Sequence, residues 1–190
     1  SLASGDTLRL SGSDVTANQT ITAANLANLV YTPLANMNGA ARSTFNFRVN
    51  DAGSGVTAAT MSLNVNAVND VPVAQNSNVT TNEDAPLAFT SGNFLFSDVE
   101  ADSLASVTIT SLSLASGDTL KLSSTDVTAN QTIGAVNLPN LVYTPANNMN
   151  GAARSTFNFR VNDAGLGVTA ATFTLNVTAV NDAPHATANT

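Results

Sequence analysis

A tandem repeat is the sequence feature that most constrains how this chain can fold. Residues 1–8 recur unchanged as residues 113–120, an offset of 112 residues. The match continues through residues 69–70 against 181–182, with roughly four in five residues identical. A period of this length is too long for one unit of a solenoid and matches one sandwich-sized domain. The sequence therefore predicts a tandem array of domains of about 112 residues each.

Two similar segments at 68–72 and 180–184, Val-Asn-Asp-Val-Pro and Val-Asn-Asp-Ala-Pro, set the phase of the repeat. Each ends in Pro, which cannot donate to a sheet ladder and disfavours helical backbone in the residue before it. These segments are therefore predicted to be short, stiff linkers. The predicted domains are the C-terminal part of one repeat (1–70), a complete repeat (71–182), and the linker with the start of a third repeat (183–190). Because residue 1 falls inside the pattern, we expect an internal piece of a longer protein.

Alternation of apolar and polar residues predicts β-strands. The last two strands of the complete repeat show it best, with one face formed by Phe157, Phe159, Val161, Phe173, Leu175 and Val177. A period of two with one apolar face is typical of antiparallel sheets that have one buried side. Residues 162–167 are predicted to join the two strands as a hairpin loop. About seven such strands predict an all-β fold, with tandem cadherin-like or Ig-like Greek-key β-sandwich domains joined by short linkers.

Two other segments lead to further expectations. Residues 128–140 have a weak helical spacing, so one short helical turn is expected there. Residues 1–70 have no counterpart of the strands predicted between 72 and 112, and a partial sandwich leaves core and strand edges bare. Either these strands have been removed from this copy, or another chain supplies them.

Composition excludes several classes of function. The net charge of −7 and the pI of about 4.2 argue against binding to nucleic acid or to an anionic membrane surface. The absence of Cys excludes disulfides, thiolate chemistry and Cys-based zinc sites. Apolar runs are too short for a membrane span, so no membrane insertion is expected. The sequence also lacks a phosphate-binding loop and a Cys nucleophile, and its single His lies near the C-terminus, so the chain is not expected to be an enzyme.

An acidic cluster follows the short apolar strand predicted at 94–96. Asp98, Glu100 and Asp102 occupy alternate positions in a chain that has only 13 acidic residues. Carboxylates this close repel one another unless they are well solvated or neutralised by a cation. Oxygen-only ligands suit Ca²⁺, which takes about 6–8 of them. These three residues are candidate calcium ligands, and a solvated acidic turn is the alternative.

The order of several motifs resembles that of cadherin repeats, and still more that of the cadherin-like and VCBS-type tandem repeats of large bacterial RTX adhesins. The motifs are Thr-Asn-Glu-Asp-Ala-Pro at 81–86, the acidic cluster at 98–102, Tyr-Thr-Pro at 143–145 with Met-Asn-Gly at 149–151, the stretch at 157–165, and the linker at 180–184. The similarity extends over the whole 112-residue unit. The Gly-rich RTX nonapeptide is absent, and so is the Leu-Asp-Arg-Glu motif of cadherins. Asn148, Asn150 or backbone oxygens near Gly151 are the available substitutes for that motif.

The resemblance implies Ca²⁺ as the bound cofactor, held where consecutive domains meet. At the junction of the first two repeats it implies the ligands Asn69, Asp70, Asp98, Glu100 and Asp163. It assigns Glu83 and Asp182, with Asn181, to the following junction, and Asp51 to the preceding one. The implied function is a calcium-stiffened structural extender of a bacterial cell-surface adhesin, extracellular and active in cell adhesion or biofilm formation. Its partners would be neighbouring repeats of the same chain, with a polysaccharide or surface ligand bound through other domains.

Simpler interpretations stand beside these. Asp163 precedes Ala-Gly and is also a good turn former. Asp6 and Asp118, in Ser-Gly-Asp-Thr, are interpreted as turn residues. Met149 is expected to fill the core. The alternative function is a cadherin-like module that binds polysaccharide or makes homotypic cell–cell contacts.

Overall fold

The structure, a computed structural model, describes residues 1–51, 57–163, 167 and 169–183. The chain divides into two compact units, Ser1–Val68 and Asn69–Thr190, which are described separately below as unit 1 and unit 2. The division falls inside the predicted linker, just before Asn69. Asn69 and Asp70 therefore group with the residues that follow them.

Unit 1 contains five strands and one 3₁₀ helix among its described residues. The strands are β1 (Thr7–Leu10), β2 (Ser13–Asp14), β3 (Leu29–Thr32), β4 (Gly39–Arg48) and β5 (Ala58–Val65). The first three form an antiparallel sheet in the order β2-β1-β3, and β4 pairs with β5 in a separate antiparallel ribbon. The 3₁₀ helix, Ala23–Asn28, leads directly into β3. The two pieces correspond to the two sheets of a sandwich.

Unit 2 contains the complete arrangement. Its strands are β6 (Val73–Ala74), β7 (Ser77–Asn82), β8 (Leu87–Ala88), β9 (Phe96–Ser97), β10 (Ser106–Ser113), β11 (Thr119–Leu122), β12 (Thr125–Asp126), β13 (Gln131–Gly134), β14 (Leu141–Thr144), β15 (Gly151–Asn162) and β16 (Ala171–Thr178). A five-stranded sheet has the order β13-β10-β15-β16-β7, a four-stranded sheet the order β12-β11-β14-β8, and β6 pairs with β9. Short 3₁₀ helices lie at Ser91–Asn93 and Ala135–Asn140. The predicted all-β, Ig-like sandwich is confirmed.

One pair of named strands in unit 2 is parallel. Strand β7 runs alongside β16, with Ser77 opposite Phe173 and Asn82 opposite Thr178, whereas the other named strand pairs are antiparallel. The first long strand of the unit therefore lies against its last strand and points the same way. A sequence pattern with a period of two does not distinguish parallel from antiparallel neighbours.

The core of unit 2 lies between its two larger sheets. It is centred on five Phe rings, Phe89, Phe94, Phe157, Phe159 and Phe173, each at most 2% exposed. Phe157 and Phe173 stack with ring centroids 4.8 Å apart, and Phe94 meets Phe159 edge-on at 5.2 Å. Such stacked and edge-on contacts add to the free energy gained by burying apolar area. The alternating face predicted for β15 and β16 is this buried face.

Three local predictions have different outcomes in the structure. Residues 128–140 hold strand β13 and then a single 3₁₀ helix, so the expected helical turn is present in the second half of that segment. Met149 is 47% exposed, so its assignment to the core is wrong. It lies in the loop between β14 and β15, outside the strand alternation that orients apolar residues inward. The predicted hairpin loop includes residues 164–166, which lie outside the described residues.

Candidate metal centre

The acidic cluster forms at one end of unit 2. Asp98, Glu100 and Asp102 lie in the loop between β9 and β10, and Asp163 directly follows the last residue of β15. Carboxylate oxygens of Asp98, Asp102 and Asp163 all lie within 4.8 Å of one another. Two segments distant in sequence therefore bring three carboxylates to one place. The structure brings together these predicted ligands from the loop and the strand end.

The local hydrogen bonds order the loop and leave one oxygen without a partner. The backbone N–H of Asp102 donates to Asp98 Oδ1 at 2.8 Å, and Ala101 between them adopts a left-handed conformation with φ of 60°. Asp98 Oδ2 is buried and accepts no hydrogen bond from the described residues. A buried carboxylate oxygen without a hydrogen bond is costly in free energy unless a cation or water satisfies it.

The predicted linker residues reach the same place. Asn69 Nδ2 donates to Asp163 Oδ2 at 3.2 Å, and the backbone N–H of Asp70 donates to Glu100 Oε2 at 3.1 Å. Each linker residue thus contacts a different carboxylate of the cluster. The start of unit 2 is consequently held by the side chains that are candidates for cation binding.

The chemistry of this donor set fits a hard divalent cation. The donors that meet here are carboxylate oxygens, and among the described residues no nitrogen or sulfur ligand joins them. Calcium accepts about 6–8 oxygens in a flexible arrangement, whereas Mg²⁺ requires a near-ideal octahedron and usually keeps several waters. The residues therefore fit Ca²⁺, and Asp98 Oδ2 is the atom that most needs it.

Glu83 lies elsewhere in unit 2. It follows β7, next to the end of β16, whereas Asp163 precedes β16, so the two lie at opposite ends of a strand that is about 26 Å long. Glu83 is 6% exposed, and its two oxygens accept from the backbone N–H of Val180 at 2.7 Å and from Asn150 Nδ2 at 3.0 Å. The Asn150 and Val180 hydrogen bonds lower the pKa of Glu83 and outweigh the opposing effect of burial. We call this arrangement the Glu83 clamp.

The remaining predicted ligands lie outside the acidic cluster. Asp182 is exposed, and Asn181 Nδ2 donates to the Asp182 carbonyl at 3.3 Å, as Asn69 Nδ2 does to that of Asp70 at 3.0 Å. The same side-chain to backbone hydrogen bond thus recurs in both linkers. Asp51 is exposed after β4, next to residues 52–56, which lie outside the described part of the chain.

Sequence reasoning missed a buried polar network around Asp118. Its carboxylate accepts from Tyr143 Oη at 2.5 Å, Ser155 Oγ at 2.6 Å, Arg154 Nη2 at 2.7 Å and the backbone N–H of Ala146 at 2.9 Å. Burial alone would raise the pKa of Asp118, but these hydrogen bonds outweigh it and lower the pKa. Burial and the bond to Asp118 raise the pKa of Tyr143 to about 12. Asp118 is therefore a structural anchor linking β11, β14 and β15, more than a turn residue.

A signal for this network was present in the sequence. The Asp, Tyr and Arg-Ser residues recur at the same spacing in both copies, as Asp6, Tyr31, Arg42 and Ser43 in the first. Unit 1 forms the same network around Asp6, with Tyr31 Oη and Ser43 Oγ each 2.6 Å from Oδ2. Because roughly four in five residues recur, this match alone does not show which of them contact Asp118.

Comparison with known proteins agrees with the sandwich architecture. Residues 1–64 and 69–176 match the bacterial Ig domain family, which is most of the chain. The chain belongs to the bacterial Ig domain family. No curated protein and no solved structure matches it significantly. Bacterial Ig domains are typically non-catalytic structural modules and usually belong to surface or extracellular proteins. Within the described residues, no helix is long and apolar enough to cross a membrane.

The match to the family is interrupted at residues 65–68, between the two matched segments. The bacterial Ig match thus follows the internal repeat seen in the sequence. Two consecutive copies are matched, the first over β1 to β5 and the second over most of unit 2.

Proposed function

We propose that these bacterial Ig repeats form part of a calcium-stiffened extender in a cadherin-like, RTX-type surface adhesin. The observation that carries the proposal is the meeting of Asp98, Asp102 and Asp163 at one place. The linker is bonded there as well, Asn69 to Asp163 and the N–H of Asp70 to Glu100. A site that includes a linker can control how freely that linker moves. Calcium is the proposed ion, and the residues Asn69, Asp70, Asp98, Glu100, Asp102 and Asp163 are the proposed ligand set.

Electrostatics gives the mechanism. Three carboxylates within 4.8 Å of one another repel, and the two segments that carry them separate more readily when no cation neutralises them. When bound, Ca²⁺ supplies positive charge that makes the approach of these segments favourable. The chain's own residues do the rest: Asp102 N–H orients Asp98, and Glu100 and Asp163 hold the linker by its Asp70 N–H and Asn69 amide.

A binding module for polysaccharide or for homotypic contacts has less support. Sugar sites in proteins commonly use exposed aromatic rings. In unit 2, five of the six Phe rings and Tyr143 are at most 2% exposed, Phe96 is half-buried, and the Tyr143 hydroxyl is bonded to Asp118. Binding of an adhesion ligand is therefore assigned to other parts of the adhesin.

A thermal melt of the whole 190-residue chain tests the proposal. The midpoint is measured in EDTA and in millimolar calcium, for the native sequence, for Asp98→Asn and for the control Asp126→Asn. We expect calcium to raise the midpoint, because a ligand at 100 times its Kd stabilises the folded state by about 2.7 kcal/mol. Asp98→Asn should abolish the rise. Asp126→Asn should keep it, since Asp126 is an exposed acid in a surface pair with Lys121.

Small-angle scattering on the same samples tests the stiffening itself. We expect the distribution of end-to-end lengths to narrow on adding calcium and to broaden in EDTA. If calcium raises the melting midpoint but leaves the length distribution unchanged, calcium binding is supported and the stiffening is refuted. No calcium effect in either measurement would refute both and leave the acids as a solvated turn.

A further inference from the structure

A second feature of the repeat points to covalent chemistry. Met-Asn-Gly-Ala-Ala-Arg occurs twice, with Asn38–Gly39 in unit 1 and Asn150–Gly151 in unit 2. Asn38 and Asn150 are both exposed. Asn-Gly is the dipeptide in which a side-chain amide is most easily attacked by the next backbone nitrogen, because Gly has no Cβ to obstruct the approach.

The two copies have the same backbone. Gly39 and Gly151 have φ of 147° and 152°, and each begins a long strand, opposite Val65 and Val177 respectively. The segments from residue 36 to 48 and from 148 to 160 are identical in sequence. Any difference in reactivity between the two Asn residues in the folded chain must therefore arise from what surrounds the side chains.

The surroundings of the two side-chain amides differ. Asn150 Nδ2 donates to Glu83 Oε2 at 3.0 Å, and Glu83 is 6% exposed. Among the described residues, Asn38 makes no equivalent hydrogen bond to a carboxylate. The Glu83 clamp therefore holds the Asn150 amide, and no carboxylate of the described residues holds that of Asn38.

We propose that Asn38 and Asn150 are sites of spontaneous deamidation, and that Glu83 protects Asn150. In the reaction, the backbone nitrogen of the Gly attacks Asn Cγ, a five-membered succinimide forms, and the side-chain nitrogen leaves as ammonia. Water then opens the ring at either carbonyl to give Asp or isoAsp. The overall reaction consumes one water, releases one ammonia and involves no oxidant or reductant.

Two physical effects make Glu83 protective. The hydrogen bond fixes the orientation of the Asn150 amide, so the attacking conformation is reached only after that bond breaks. The neighbouring carboxylate also disfavours the negatively charged tetrahedral intermediate, because like charges close together repel. A hydrogen bond to a charged group corresponds to about a tenfold change in rate. Asn38 should therefore deamidate about tenfold faster than Asn150.

Deamidation has different consequences at the two positions. Deamidation at 38 adds a negative charge to an exposed loop. Deamidation at 150 replaces a hydrogen-bond donor by a carboxylate that faces Glu83, and the resulting repulsion weakens the clamp that also holds the Val180 N–H. Glu83 thus protects Asn150, and an intact Asn150 in turn keeps Glu83 in place to hold the Val180 N–H of the linker at 180–184.

Peptide mapping by mass spectrometry tests the proposal on the whole chain, incubated at mildly alkaline pH. Deamidation is followed separately at residues 38 and 150 in the native chain and in guanidinium chloride. We expect about a tenfold difference in the folded chain and equal rates in denaturant, since the local sequences are the same. Equal rates in the folded chain, or faster loss at 150, would overturn the proposal without the need for any variant.

Two variants assign the protection to Glu83. Glu83→Gln keeps an oxygen for Val180 N–H and turns its amide nitrogen toward Asn150, which removes the acceptor. The rate at 150 should rise toward that at 38, while the rate at 38 stays the same. Asp84→Asn is the matched control, because Asp84 Oδ1 accepts from the backbone N–H of Asn148 in the same loop and does not contact the Asn150 amide. Acceleration by Asp84→Asn equal to that by Glu83→Gln would show loop loosening and refute the specific role of Glu83.

Discussion

Units 1 and 2 share most of their sequence and differ sharply in how much of it they bury. Leu138 is fully buried in unit 2, whereas its counterpart Leu26 is 55% exposed in unit 1. Val161 is fully buried, and its counterpart Val49 is 68% exposed. What unit 2 has in addition is the segment that carries β6 to β10, including Phe89 and Phe94. The apolar face of β15 and β16 is thus a core only where this segment covers it.

The polar networks show the opposite behaviour. Asp6 and Asp118 are each less than 9% exposed and receive the same set of donors at nearly the same distances. The network uses only positions that both units possess, and none of them lies in the segment that carries β6 to β10. Local polar anchoring is therefore independent of the core, and three sets of substitutions test this difference.

Replacing a matched pair of apolar residues should give the largest difference. Phe173→Ala removes a fully buried ring stacked on Phe157 and should lower the free energy of unfolding by about 4 kcal/mol. Met61 occupies the same position in unit 1 and is 42% exposed. Met61→Ala should therefore change the free energy of unfolding by less than about 0.5 kcal/mol. Urea unfolding followed by far-ultraviolet circular dichroism measures both. Similar losses would mean that the face of unit 1 is covered in solution.

Removing the charge of the anchor should have the next largest effect. Asp118→Asn leaves Arg154, whose side chain is 8% exposed, without its carboxylate partner. Loss of one member of a buried ion pair predicts a decrease of about 3 kcal/mol in the free energy of unfolding near neutral pH. The same urea titration measures it.

Acid titration tests whether the loss of stability in Asp118→Asn comes from the missing charge. The pKa of Asp118 is lowered in the folded chain below its ordinary value of 3.8, so its contribution to stability is complete above that pH. As the pH falls below 3.8, the unfolded chain takes up the proton first, and the contribution is lost progressively. The difference between the native chain and Asp118→Asn should therefore shrink over this range. A difference independent of pH would assign the effect to packing.

A surface ion pair that both units share should give the smallest effect. Arg9 Nε lies 2.8 Å from Asp14 Oδ1, and Lys121 Nζ lies 3.2 Å from Asp126 Oδ1. All four side chains are exposed, so Arg9→Ala and Lys121→Ala should each change the unfolding free energy by less than about 1 kcal/mol. Thermal melts at low and high salt measure the pair contribution. A loss comparable to that of Asp118→Asn would contradict the distinction between buried and exposed ion pairs.

The sequence predicted the sandwich because strand alternation is a local signal. Phe157, Phe159 and Phe173 face the core as their spacing indicated. It also predicted that Asp98 and Asp163 meet, although from resemblance to a family and not from geometry. The parallel pairing of β7 with β16 and the partners of Asp118 depend on contacts between segments far apart in the chain, which periodicity does not encode. Met149 was misassigned because apolarity alone does not say which residues of a loop face inward.

The parallel pairing of β7 and β16 has a mechanical consequence. The two strands lie near the beginning and the end of unit 2, and they are joined side by side over six consecutive residue pairs. Tension that pulls the start and the end of the unit apart would slide one strand along the other and strain all the hydrogen bonds of this ladder together, whereas a hairpin opened from its end breaks its bonds one at a time. A repeat connected in this way resists being stretched along the direction in which a tethered protein is pulled.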